Sequence, residues 1–321
     1  MIEHRPPFDP VPEGATNLCP SSAMRTAAST PAFPELEGRH PCFSITAAGH
    51  AASARLHLPV SPRCNIACAF CRRDFNDVEH RPGVASRLIA PDEAETIVAR
   101  ALTLLPNLAV VGIAGPGDPL ASDHALDAFR RIHARFPDLV LCLSTNGLRL
   151  PDRIDEIVAA GVATLTVTVN AVDPEIQARI APKIGWQGRG LSGRAAAERL
   201  IANQLAGIAA AAARGLTVKI NTVLIPEINE AHVGEVARVT AAAGARVINV
   251  IPLIPQGDLA HLPAPGIVAR ARARAAAAEH LRVFSHCARC RADACGIPGV
   301  SDVSAELWGD GRVAEPTFSH G

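Results

Sequence analysis

The 321-residue sequence predicts an α/β fold of parallel β/α units, closed or partly closed into a barrel. Its apolar content of 48% is enough to bury a large core. Six short β-like runs fall at 55–60, 108–114, 139–144, 164–170, 217–225 and 246–253. Helical patterns lie between them at 91–105, 123–136, 152–160, 192–214 and 232–243. Strands separated by helices suit the crossovers that parallel strands need.

In chain order, residues 1–38 are rich in Pro, Ser, Thr and Ala without apolar periodicity and read as a flexible leader. Residues 39–296 form the expected core. Residues 297–321 read as a tail, either an arm packed on the barrel or a disordered end. The first strand runs directly into a cysteine-rich loop. Pro91 suits a first helical turn, with Asp92, Glu93 and Glu95 toward the positive end of the helix dipole. Gly115-Pro116-Gly117-Asp118 follows the second strand, Thr145-Asn146-Gly147 the third and Asn170 the fourth. Parallel β/α folds build their sites at the C-terminal ends of strands, so chemistry is expected at these positions.

Composition excludes several classes. The 31 basic and 31 acidic residues cancel, and Lys183 and Lys219 are the lysines, so no basic nucleic-acid surface is expected. The longest apolar stretches, such as 205–213, are far short of the roughly 20 residues that cross a bilayer. The first twelve residues contain His4, Arg5, Asp9 and several prolines in place of a secretory apolar run, so a cytoplasmic location is expected. Nine cysteines are too few for a disulfide scaffold of this size and read better as metal ligands or core residues.

Cys64, Cys68 and Cys71 form a C-x3-C-x2-C loop after the first strand. Three thiolates can hold three irons of a [4Fe-4S] cube and leave the fourth open. A zinc knuckle would want a fourth nearby ligand. Phe70 precedes the last cysteine and suits either a cofactor contact or the core. Gly115, Pro116 and Gly117 allow close backbone approach to a ligand, with Asp118 beside them. Ser144, Thr145, Asn146 and Asn170 offer polar groups at strand ends, or caps for the following helices. Cys287-Ala-Arg-Cys290 is a second metal-type pair that zinc, iron or a disulfide would suit equally. Cys142, inside the third strand, reads locally as a core residue.

The cysteine loop and glycine-rich segment resemble the radical S-adenosylmethionine (SAM) superfamily. That resemblance implies a partial (β/α)6 TIM-type barrel, a [4Fe-4S] cluster with an open iron that chelates SAM, and release of a 5′-deoxyadenosyl radical. Phe70, Gly115, Pro116, Gly117, Asp118, Ser144, Thr145, Asn146 and Asn170 would then bind the cofactor. His40-Pro-Cys42-Phe43-Ser44, Arg55-Leu-His57, Arg81-Pro-Gly-Val84, Thr168-Val-Asn170, Lys219-Ile-Asn221 and His286-Cys-Ala-Arg-Cys290 narrow the resemblance to the NifB family of nitrogenase cofactor biosynthesis. Membership would imply two further [4Fe-4S] clusters, fused with a SAM-derived carbide and a sulfide into an eight-iron precursor.

The resemblance implies that Cys287 and Cys290, with Cys42 and either His40 or His50, hold one auxiliary cluster. Cys142 becomes a ligand of the second. The family usually has another cysteine a few residues after the loop, where Asn76 or Asp77 stands here, leaving one or two auxiliary clusters and Cys19 or Cys295 as substitutes. Glu79 resembles a family acid that handles protons or ligates transiently, against a plain solvated carboxylate. The chain ends soon after Cys295, which would make it the form without a C-terminal NifX-like domain. Implied partners are cluster suppliers, a ferredoxin-type reductant and a cofactor carrier or scaffold. A different radical SAM enzyme with an auxiliary cluster, such as a peptide-modifying one, and a non-catalytic cluster carrier are the alternatives.

Overall fold

A computed structural model describes Leu36, residues 38–44, 46–309 and 319–320. The expected leader and Cys19 therefore lie outside the described residues, except for Leu36 and Gly38. Eight strands form the main sheet: β1 (Ala54–His57), β2 (Leu108–Ile113), β3 (Val140–Thr145), β4 (Val162–Thr168), β5 (Thr217–Leu224), β6 (Val247–Pro252), β7 (Arg282–Val283) and β8 (Cys295–Gly296). Their spatial order is β8-β1-β2-β3-β4-β5-β6-β7. Every neighbouring pair is parallel except β1 with β8. Among the described residues β7 and β8 do not pair, so the sheet stays open. The expected β/α alternation holds in a partial barrel.

Strand periodicity divides the side chains between two environments. Leu56, Val111, Leu141, Leu143, Leu165, Val167, Val218, Ile220, Ile248 and Val250 point outward into one buried apolar core. The helices α1 (Ala47–Ala52), α2 (Ala94–Leu104), α3 (His124–Arg135), α4 (Leu150–Ala159), α5 (Pro174–Ile180), α6 (Gly193–Ala213), α7 (Val233–Ala242), α8 (Ile267–Ala278) and α9 (Ser304–Trp308) accompany the strands. Apolar residues of α2, α3, α4, α6, α7 and α8 complete that core. The alternate strand positions, among them Arg55, His57, Gly112, Cys142, Ser144, Thr166, Lys219, Asn221 and Asn249, line the interior.

Local chemistry sets the ends of these elements. Ala90 N donates to Glu93 Oε2 at 2.6 Å ahead of α2, and Asp173 accepts from Glu175 N and Ile176 N ahead of α5. Helix α6 packs so tightly on α4 that a Cβ on Gly207 would lie 2.6 Å from Leu150. The tail reading resolves toward a packed arm as far as residue 309. Leu307 and Trp308 of α9 enter the core, and Trp308 Nε1 donates to Asp293 O at 2.6 Å.

Candidate functional site

A cavity of about 340 Å³ opens inside the sheet. It is lined by Cys64, Cys68 and Cys71, by Cys42, Cys142, Cys287 and Cys290, and by His40 and His50. Phe70, Pro116, Gly117, Asp118, Ser144, Thr145, Asn146 and Asn170 line it as well. Residues far apart in sequence thus converge on one interior space.

The cysteine loop is clamped from several sides. Ile66 and Ala67 pair with Ile184 and Lys183 of the hairpin at 183–192, and Ala69 N donates to Ile180 O at 2.8 Å. Asn146 Nδ2 donates to Asn65 Oδ1 at 2.7 Å. Gly117 N donates to Ser61 O at 2.8 Å, and Asp118 N to Arg63 O at 2.7 Å. A Cβ on Gly117 would lie 2.0 Å from Arg63 O, so only glycine permits this approach. Gly115 itself does not line the cavity; its Cβ position faces Ala292 at 3.2 Å.

Burial pushes the three loop thiols up, Cys64 to about 11 and Cys68 well above the usual thiol range, and Cys71 and Cys64 reinforce the shift at Cys68. Arg73 opposes the rise at all three. Such thiols stay protonated until a metal displaces the proton. Among the described residues no three Cys, His, Asp or Glu side chains converge on a single-ion centre. The loop fits a cube instead, since each thiolate of a cube serves a different iron. Gln177 Oε1 and Gln204 Oε1 are buried without hydrogen-bond partners and belong to residues lining the cavity. Unpaired carbonyl oxygens of this kind match the ammonium and hydroxyl donors of SAM.

Asp118 positions its neighbours. Its carboxylate accepts from Leu120 N at 2.9 Å, Asn146 N at 2.6 Å and Thr145 Oγ1 at 3.0 and 2.9 Å. Burial raises its pKa above the ordinary carboxylate range, and those donors oppose the rise. Asn170 acts similarly between β4 and β5, where its Oδ1 accepts from Val223 N at 2.9 Å. Ser144 is half-buried on the cavity wall.

The second set of thiols lines the same cavity. Burial pushes Cys42 up to about 11; Cys290 and Cys142 lie close enough to add to the rise, and Lys219 and Arg55 oppose it. Cys142 faces this interior, so the local core reading was wrong and the residue is half-exposed to the cavity. Cys295 is buried in the outer apolar core on β8, its thiol raised to about 12 by burial, and cannot replace a missing ligand.

The histidines separate by tautomer. His50 does not fit the ligand role expected of it, because Nδ1 and Nε2 face the carbonyls of Pro41 at 2.7 Å and Pro298 at 3.1 Å. Neither ring nitrogen is left free. His40 Nδ1 accepts from Cys42 N at 3.2 Å, and its buried Nε2 has no partner. His57, not singled out as a ligand from sequence, donates from Nδ1 to Arg291 O at 3.0 Å. That bond leaves Nε2 with its lone pair, the arrangement of a metal-ligating imidazole. Burial lowers the His57 pKa to about 3, so the ring is neutral. The available signal was a histidine at an inward strand position one turn of alternation after Arg55.

Glu79 does not line the cavity. Its carboxylate accepts from Asn76 Nδ2 at 3.1 Å and pairs with Arg81 at 2.6 Å, and these partners hold its pKa below the usual range. In this structure the Glu79 carboxylate fastens its own loop. Asn76 Oδ1 accepts from Val78 N and Glu79 N, so the residue at the missing-cysteine position closes a turn.

The radical SAM superfamily profile matches residues 58–239. The FeMo cofactor biosynthesis protein NifB of Klebsiella pneumoniae is 43% identical over 281 residues, 85% of this chain and 60% of that protein. The NifB of Methanocaldococcus jannaschii is 42% identical over 267 residues, 83% of this chain and 88% of that protein. The chain thus spans about 60% of the Klebsiella relative and most of the archaeal one. A radical SAM methyltransferase from Sphaerobacter thermophilus shares the fold, with a TM-score of 0.51 at 19% identity over 72% of this chain and 64% of that one.

Proposed function

This chain belongs to the NifB family within the radical SAM superfamily, and from that premise we propose that it fuses two [4Fe-4S] clusters into an eight-iron precursor of the nitrogenase cofactor, inserting a SAM-derived carbide and a sulfide. The observation that carries this reading is one cavity faced by both thiol sets, Cys64, Cys68 and Cys71 on one side and Cys42, Cys142, Cys287 and Cys290 on the other. Radical generation and cluster substrates would share a single space.

Cys64, Cys68 and Cys71 would hold the resident [4Fe-4S] cluster, which when bound supplies the electron that splits SAM into methionine and a deoxyadenosyl radical. Gly117 lets the 115–118 backbone reach the loop, while Asp118 fixes Thr145 and Asn146. Gln177 and Gln204 present carbonyl oxygens to SAM. Cys287, Cys290, Cys42 and Cys142 would bind the substrate clusters, with His57 Nε2 as nitrogen donor; His40 would serve only by moving its proton from Nε2 to Nδ1 and giving up the bond from Cys42 N. Methyl transfer from one SAM to a sulfide of a substrate cluster would leave S-adenosylhomocysteine, and the deoxyadenosyl radical from a second SAM would take a hydrogen atom from that methyl group and become deoxyadenosine. Cluster suppliers, a ferredoxin-type reductant and a carrier or scaffold would complete the route in the cytoplasm. No helix among the described residues is long and apolar enough to cross a membrane.

Anaerobic incubation of reconstituted protein with SAM, dithionite and a sulfur source tests the reading. Deoxyadenosine, S-adenosylhomocysteine and a transferable iron–sulfur product are expected, and Cys68→Ala should abolish deoxyadenosine. Deoxyadenosine without S-adenosylhomocysteine would refute carbide insertion and favour a different radical SAM reaction. Neither product would indicate a cluster carrier, the reading favoured by Asn76 in place of a cysteine.

A further inference from the structure

Two buried cations stand in the cavity wall without a counter-charge. Arg55 on β1 and Lys219 on β5 are 5% and 6% exposed, and both line the cavity. Neither forms an ion pair among the described residues. Arg55 Nε is buried without a hydrogen-bond partner. Among the described residues Lys219 Nζ reaches the Cys42 carbonyl, at 3.4 Å, and the ring faces of Phe43 and Phe284, at 4.9 and 5.3 Å. Asp293, the buried acid of this region, is spent on Arg291 at 2.8 Å.

Isolated buried charges are costly, so two facing one cavity and acting on the same Cys42 and His40 are tolerated where a ligand supplies the opposite sign. The groups beside them cannot do so alone. Cys42 and Cys142 are pushed by burial toward the neutral thiol, and His40 and His57 toward neutral imidazole. Lys219 opposes the push at both cysteines, and Arg55 does so at Cys42.

We propose that Arg55 and Lys219 form an anion-binding site in the floor of the cavity, next to Cys42, Cys142 and Cys290. Its ligand is a compact anion that arrives either as a cluster substrate on those thiolates or as a free inorganic anion. The cluster source rests on the function proposed above; the free-anion source does not. The two cations act as positioning residues for that charge and take no part in bond making.

The test has two arms on the full-length chain. In the first, Cys64, Cys68 and Cys71 are replaced by Ala so that only auxiliary iron remains, and its midpoint potential is measured with and without Lys219→Met. Loss of the cation disfavours the more negative reduced cluster, so at least a tenfold shift toward the oxidised form is expected, about 59 mV for a one-electron couple. Lys219→Arg should restore the potential, and the exposed control Arg238→Met should leave it in place.

In the second arm, iron-free protein is unfolded thermally in sodium sulfate and in sodium chloride at equal ionic strength. Sulfate should stabilise the parent chain saturably and beyond its general salting effect, and Lys219→Met or Arg55→Met should remove that excess. A potential shift identifies the cluster as the anion, and a sulfate excess alone identifies a free anion. An unmoved potential together with equal sulfate responses in parent and variants overturns the proposal. If the triple-cysteine chain retains no iron, the cluster reading fails, and the sulfate arm still decides the anion site.

Discussion

Replacing Gly117 by Ala tests whether the close approach of two backbone segments holds the first cysteine in place. The new Cβ would lie 2.0 Å from Arg63 O, 2.6 Å from Arg63 C and 2.8 Å from Ser61 O, against ordinary contacts of 3.4 Å or more. All three atoms are backbone, so no flexible side chain can yield. The 115–118 segment and the 61–64 segment must separate by more than an ångström, breaking Gly117 N to Ser61 O and Asp118 N to Arg63 O. Two buried backbone hydrogen bonds lost with their groups unsatisfied cost about 1–3 kcal/mol each, so a loss of roughly 2–6 kcal/mol follows. Cys64 adjoins Arg63 and shifts with it. Denaturant unfolding of iron-free protein and iron per chain after reconstitution read the two effects separately. Unfolding within about 0.5 kcal/mol of the parent, with full iron loading, would refute the reasoning.

Asp118→Asn should cost about 2–3 kcal/mol by placing an amide N–H against donors that a charged acceptor now satisfies, as denaturant titration would show, while Asp118→Ala should cost no less. Glu79→Gln should leave deoxyadenosine formation within about twofold of the parent and the denaturant midpoint nearly in place, because the carboxylate forms an exposed loop contact; a large activity loss would restore it to the reaction. The pH dependence of iron-free stability should carry the signature of His57. The unfolded ring protonates near 6.5 and the folded ring near 3, so within that window the unfolded chain binds the extra proton and stability falls as pH falls, by up to about 1.4 kcal/mol per pH unit. His57→Gln should remove one proton's share of that slope, leaving the share of His40, which burial shifts in the same direction, and should not alter the slope above pH 7; an unchanged slope would place the titration elsewhere.

The strands that position the site were legible because their apolar runs are short and bounded by Gly, Pro and Asn. All six expected strands appear within a few residues of their predicted bounds. The helix at α8 was not legible, since its alternating Arg and Ala leave no apolar stripe and its buried face consists of Ala273 and Ala277. Helix α5 carried a readable start in Asp173-Pro174 that went unused. The hairpin at 183–192 turns at Gln187 and Gly188, both with positive φ, and the glutamine hid a turn that asparagine would have advertised. Within the site, the cysteines and the glycine-rich segment announced themselves by spacing. Which face each strand residue took did not, because Arg55, His57 and Lys219 are polar positions inside otherwise apolar strands and become meaningful only when the sheet turns them to one interior.

The same interior bears on the absent cysteine. Asn76 has both side-chain groups engaged, Oδ1 with two backbone N–H groups and Nδ2 with Glu79, and its carbonyl accepts from Arg291 at 2.7 Å. Arg291 also donates to Glu79 O at 2.8 Å and pairs with Asp293, directly after the Cys287 and Cys290 segment. The loop that would otherwise bring a thiol toward the cavity is thus fastened to the strand of chain carrying the auxiliary pair. Under the proposed function, a cluster substrate would have Cys42, Cys142, Cys287 and Cys290 as its thiol donors, with an imidazole for any further site. Fewer thiolates bring less negative charge of their own. Under the same reading, retention would lean on Arg55 and Lys219, and an incompletely ligated cluster held by charge would also be one that can leave once fused.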